Sequence, residues 1–138
     1  MAVSTPSYTH TIQTTYRDSH SLVVTSSTTA AGDTEINGTY NVAAGATAQE
    51  ADISITATAL KSIMLSTSGP ALTITPYNSS TAGTVINIPA NGSIMWNTSS
   101  GGANPISANV TRFLVANTIA VPATAAVLTV TGVQVLSV

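Results

Sequence analysis

Ala51-Asp52-Ile53-Ser54-Ile55-Thr56, the head of the stretch ADISITATA (residues 51–59), decides the fold. Ile53 and Ile55 alternate with Asp52, Ser54 and Thr56, the period of two expected of a strand with one buried face. Toward the C-terminus, KSIMLST (61–67) and ALTIT (71–75) flank Ser68-Gly69-Pro70. A turn signal between two short apolar runs predicts a hairpin. TVINI (84–88) and SIMWN (93–97), joined by Pro89-Ala90-Asn91-Gly92, predict a second one. TSSGGANPISA (98–108) then reads as a wide loop, and VTRFLVA (110–116) and AVLTVTGV (126–133) as the last two strands before the tail QVLSV.

Toward the N-terminus the pattern is looser. Thr34 to Val42 contains Asn37-Gly38, a turn candidate. SSTTAAGD (26–33) reads as a loop after the short apolar run Leu22-Val23-Val24-Thr25, and from Tyr8 onward His10, Ile12, Thr14 and Tyr16 share one face of a strand. Residues 1–7 (MAVSTPS) hold too little apolar surface to offset the entropy of ordering and read as a flexible arm. Residues 8–138 form one domain, long enough to enclose a core without metal or disulfide staples. No apolar period of 3.6 persists, so no helix is expected. Eight or nine short strands without helical crossovers predict an all-β fold, an antiparallel β-sandwich of jelly-roll or Greek-key type.

Composition narrows function. Eight residues are charged at neutral pH, Arg17, Asp18, Asp33, Glu35, Glu50, Asp52, Lys61 and Arg112, for a net charge of -2. Three dispersed cations cannot neutralise a run of phosphates, which argues against nucleic-acid binding. Solubility falls to hydroxyls instead: 41 of the 138 residues are Ser or Thr. Such a neutral exterior suits repeated packing against like copies, because no like-charge field opposes it. The absence of cysteine removes disulfides, thiolate metal sites and thiol nucleophiles. No basic start precedes an apolar stretch and no apolar run reaches 18 residues, so neither a secretory signal nor a transmembrane helix is read.

Catalytic chemistry finds few candidates. A hydroxyl nucleophile needs a positioned histidine, and the chain has only His10 and His20, without a GxSxG sequence. Asp33 with Glu35 and Glu50 with Asp52 stand at i, i+2, the same face of a strand, which serves paired acids and solvent-facing positions equally. The spacing of a dedicated calcium loop is missing, and TSSGGAN lacks the lysine of a phosphate loop. The reading is therefore a non-enzyme without cofactor or metal. Trp96 and Phe113 each sit in an apolar strand and read as core anchors; Trp96 and its neighbour Met95 also face opposite ways, so one of them can meet a partner subunit.

The pieces KSIMLST, INIPANGSIMWN and PISANVTRFLVAN, spread over Lys61 to Ala116 and its flanks, resemble small bacteriophage head proteins of the decoration or cement type. The resemblance covers about the central 55 residues and implies a β-sandwich subunit, a homotrimer, seated on the lattice of the major capsid protein. It further implies a place on the phage head surface after synthesis in the host cytoplasm, without a membrane partner. Tyr8 and His10 at the arm, Trp96 and Arg112 are the candidate interface residues, the arm being a strand-addition tether. The competing readings are a head-fibre, tail or baseplate component, and a carbohydrate-binding sandwich, which would need a platform of exposed aromatics among Tyr8, Tyr16, Tyr40 and Tyr77.

Overall fold

The computed structural model describes residues 7–17, 19, 23–99, 102–117 and 124–136. Among these there are eleven strands and no helix: β1(Tyr8–Arg17), β2(Val23–Gly32), β3(Thr34–Val42), β4(Gln49–Ile55), β5(Leu60–Ser68), β6(Leu72–Asn78), β7(Thr81–Ala82), β8(Ile86–Ile88), β9(Ser93–Asn97), β10(Val110–Ala116) and β11(Ala126–Gln134). Nine of them build a β-sandwich. One sheet runs in the order β3-β11-β5-β9, the other in the order β4-β10-β6, with β7 and β8 both pairing along the far edge of β6. Every pairing is antiparallel.

Alternation puts the core where the sequence placed its apolar residues. Ile36, Ile63, Leu65, Leu128 and Val130 point inward from one sheet, Ile55, Leu72, Ile74, Phe113 and Val115 from the other, and all are buried in one cluster. Ile106, from the wide loop, fills the same core. Pro76 interrupts β6 without costing a ladder bond on its outer edge, because there the partner changes from β8, opposite Leu72 to Ile74, to β7, opposite Tyr77 and Asn78.

Four local expectations change. Ser68-Gly69-Pro70 does not close a hairpin: β5 and β6 lie in different sheets, and so do β8 and β9 on either side of Pro89-Ala90-Asn91-Gly92. Both turns are corners that carry the chain across the sandwich, and they lock together. Gly69 N–H donates to the Asn91 side chain at 2.8 Å, and Asn91 N–H returns a bond to Gly69 O at 2.9 Å. Gly69 (φ 108°) and Asn91 (φ 51°) supply the left-handed backbone that these corners need. A corner and a hairpin share one local signature and differ only in the distant strand each side pairs with.

The other two changes lie before Val42. Asn37-Gly38 makes no turn, since β3 continues through it; a side chain at Gly38 would collide with the Tyr40 ring. SSTTAAGD is mostly strand, and β1 and β2 form a ten-pair antiparallel ribbon from Tyr8↔Gly32 to Arg17↔Val23. The predicted arm at residues 1–7 lies outside the described residues except for Ser7, which is exposed.

Most buried polar groups are bonded rather than merely enclosed, Arg112 Nε and Thr131 Oγ1 being the buried side-chain atoms without a partner among the described residues. Gln134, at the end of β11, is the hub: its side-chain oxygen accepts from Thr56 N at 2.9 Å, its amide faces Ser54 O at 3.5 Å, and its carbonyl accepts from Asp33 N at 3.1 Å. Replacing it by an apolar residue of similar size leaves the Thr56 N–H and Ser54 C=O without a partner. Urea unfolding of Gln134→Leu is expected to show a loss of about 1–3 kcal/mol. A loss below about 0.5 kcal/mol, the usual size for an inert surface change, would show that the hub carries no stability.

Candidate interaction surfaces

The β1–β2 ribbon lies across the outer face of the β3-β11-β5-β9 sheet, at the end marked by the register row Val133↔Ser62↔Asn97. Three contacts trace its path. Gly32 abuts the Gln134 backbone so closely that a Cβ would stand 2.5 Å from the carbonyl oxygen, His10 Nδ1 bonds the hydroxyl of Ser62, and Asn97 Nδ2 donates to Thr28 Oγ1 at 2.6 Å. The ribbon thus crosses β11, β5 and β9 in turn. Ala30 and Val133 are buried outside the main cluster, where ribbon and sheet meet.

His10 and Ser62 make a serine–histidine pair that no sequence motif announced. Ser62 is fully buried, so its oxygen cannot meet a substrate. Burial under the ribbon lowers the His10 pKa below its ordinary 6.5. His20, the other histidine, lies outside the described residues.

The opposite outer face carries Glu50, Asp52 and Arg112. On it Arg112 stands in register between Asp52 of β4 and Tyr77 of β6. Its guanidinium is 3.2 Å from Glu50 and lies 5.3 Å above the Tyr77 ring, so one cation joins a carboxylate and an aromatic face across three strands. Glu50 is 59% exposed, which makes the ion pair a weak, solvent-screened contact. Glu50 and Asp52 do share a face, but with a cation between them and β6. Asp33 points elsewhere: its Oδ1 accepts from Thr34 Oγ1 at 3.0 Å and from Leu136 N at 2.9 Å. No group of three or more potential metal ligands occurs among the described residues.

The four candidate interface residues do not converge. Tyr8, 38% exposed, opens the ribbon opposite Gly32, and His10 is on the ribbon's underside. Trp96 turns inward, packing against the core and donating its indole N–H to Gly102 O at 2.9 Å, while Met95 turns outward opposite Met64 and is 45% exposed. Arg112 belongs to the other sheet. The Met64–Met95 pair crosses two strands and is separated by 31 positions in sequence, so only strand pairing reveals it.

The described tyrosines form no platform. Tyr8 is on the ribbon and Tyr77 beneath Arg112, while Tyr40 packs on the core and donates its hydroxyl to Asp52 O at 2.7 Å, tying the edge strands β3 and β4. Burial, and then the Asp52 charge, push the Tyr40 phenol above its ordinary pKa. The side chain of Tyr16 lies outside the described residues. Among the described residues no helix is long and apolar enough to cross a membrane. No family model matches the chain, and no curated protein or solved structure matches it.

The lowered His10 pKa sets a pH dependence for ribbon docking. The docked state holds the His10 proton less tightly than the undocked state, so docking is complete above pH 6.5 and weakens as pH falls below it toward the lowered value. Amide exchange at Thr28 to Gly32, corrected for its intrinsic pH dependence, is expected to lose protection from about pH 7 to about pH 5. His10→Asn is expected to flatten that dependence; an unchanged profile would detach His10 from docking.

Proposed function

We propose that the chain is a structural virion protein: a decoration or cement subunit that binds the major capsid protein lattice on a bacteriophage head. It works as a homo-oligomer, a trimer by the resemblance of Lys61 to Ala116 to head proteins of this type. One observation carries the reading beyond that resemblance. The two outer faces of the sandwich are rich in Ser, Thr and Asn; one carries the Met64–Met95 pair, Glu35 and the ribbon, the other Arg112 with Glu50, Asp52 and Tyr77. Surfaces of this kind pack repeatedly against neighbours without electrostatic opposition, and weak contacts repeated over a lattice add up through multivalency.

The strand order supports the same reading. The orders β3-β11-β5-β9 and, with β8 on the outer edge of β6, β4-β10-β6-β8 are compatible with a jelly roll, an architecture that recurs in viral shells. Architecture by itself does not assign function, so the surface chemistry bears the weight. No specific observation favours a fibre, tail, baseplate or carbohydrate-binding role above this one.

Co-sedimentation with purified phage heads stripped of the protein tests the proposal. Binding is expected to saturate at a fixed ratio to capsomers. It is also expected to change little from about 0.05 to 1 M salt, because screening acts only on charges and few are present. Failure to pellet with heads at saturating concentration would overturn it, and steep salt sensitivity would remove its physical basis.

A further inference from the structure

The β1–β2 ribbon is longer than the surface it covers. Gly32 sits over Gln134, His10 over Ser62 and Thr28 over Asn97, so two ribbon residues pass for each strand crossed. Thr28 has already reached β9, the edge strand of its sheet. The five residues from Ser27 back to Val23, with their β1 partners from Gln13 to Arg17, therefore continue past the edge for roughly 17 Å at the usual rise of a strand. Gln13, Thr15, Thr25, Ser26 and Ser27 are exposed there. A two-stranded ribbon in water is marginally stable by itself, and both of its long sides present unpaired backbone groups.

The opposite side of the sandwich offers the matching feature. Edge strands are normally blunted by charge, shortness or irregularity. β9 has five residues, the β7/β8 edge is split into pieces of two and three, and β4 carries Glu50 and Asp52. β3 has none of these defences over most of its length: it is nine residues long, unbroken in its register with β11, and charged only at Glu35. Gln49 bonds Asn41 O and Ala43 N at its far end, which leaves the stretch from Glu35 to Thr39 without an edge partner among the described residues.

We propose that the projecting end of the ribbon adds to the open edge of β3 in a second copy of this chain. Ribbon and β3 edge stand on opposite sides of the molecule, so the contact is head-to-tail, and such contacts close into a ring when the rotation between copies closes. The ribbon crosses its own sheet's strands, so aligning it with a neighbour's β3 demands a large turn per copy and hence a ring of few copies. A net charge of -2 sets no barrier to this approach. The inference rests on the self-association in the reading above and is independent of the shell.

The cysteine-free chain makes the test direct. Ser27→Cys and Thr39→Cys are made as two separate proteins, mixed, and treated with a short bismaleimide; the double variant is treated alongside. Within one copy the two sites are separated by the sheet's full width, about 14 Å for three strand spacings, plus the overhang. The expected results are a covalent dimer of one Ser27→Cys chain with one Thr39→Cys chain, and a ladder ending at the ring size in the double variant. Light scattering of Asn37→Lys/Thr39→Lys is expected to fall to the monomer's 13.9 kDa. An oligomer that links only Ser27→Cys to Ser27→Cys, an oligomer that does not cross-link, or a wild-type chain that is monomeric until it meets heads would each overturn the proposal. Head binding by a monomer would leave the cement reading standing, and a cross-linked ring indifferent to heads would leave the ring standing without it.

Discussion

The sandwich depends on the insertion of β11 between β3 and β5. This last strand pairs along its whole length with β3, from Ala126 opposite Val42 to Gln134 opposite Thr34, and from Val127 onward with β5, and supplies Leu128 and Val130 to the centre of the core. β10 does the same for the other sheet, lying between β4 and β6. Both sheets are therefore completed by the C-terminal third of the chain. Pairings so distant in sequence close large loops before they bring any reward, a topology associated with slow folding.

The end of β11 also organises what lies outside the sandwich. Gln134 accepts the Asp33 amide at the corner where β2 passes into β3, and Val133 is buried where the ribbon meets the sheet. Gly32 is needed there because no Cβ fits against the Gln134 carbonyl. One residue row thus fixes the ribbon's origin and, through Ser62 and Asn97, its direction across the face. That direction leads from β11 over β5 to β9. The proposed assembly uses that geometry, because a neutral surface offers little beyond backbone edges and hydroxyls with which to recognise a neighbour.

Legibility differed along the chain for physical reasons. ADISI, VTRFLVA and AVLTVTGV each bury one face, so alternation was visible and the strands fall where it placed them. Most of β2, from Ser26 to Gly32, was read as a loop because Ser, Thr, Ala and Gly dominate it: β2 buries only Ala30 and Gly32 among its described side chains, and a ribbon resting on a sheet needs no apolar stripe. Gly38 was read as a turn because Asn-Gly favours one, but here the missing side chain makes room for Tyr40. Of the candidate interface residues, the opposed orientation of Met95 and Trp96 was legible from period two alone. The placement of His10 on Ser62 and of Arg112 on Tyr77 was not, since each joins strands with no local relation.

The amino-acid sequence by itself determined the all-β class, the near absence of charge, and which residues of most strands face inward, because composition and period two are local properties. Tertiary structure alone decided which strands are neighbours. It turned two apparent hairpins into corners between sheets, laid a polar ribbon across one face, and left β3 as a long edge whose one charge is Glu35. Those outcomes depend on pairing energies summed over residues far apart in the chain, and no short window of sequence contains them.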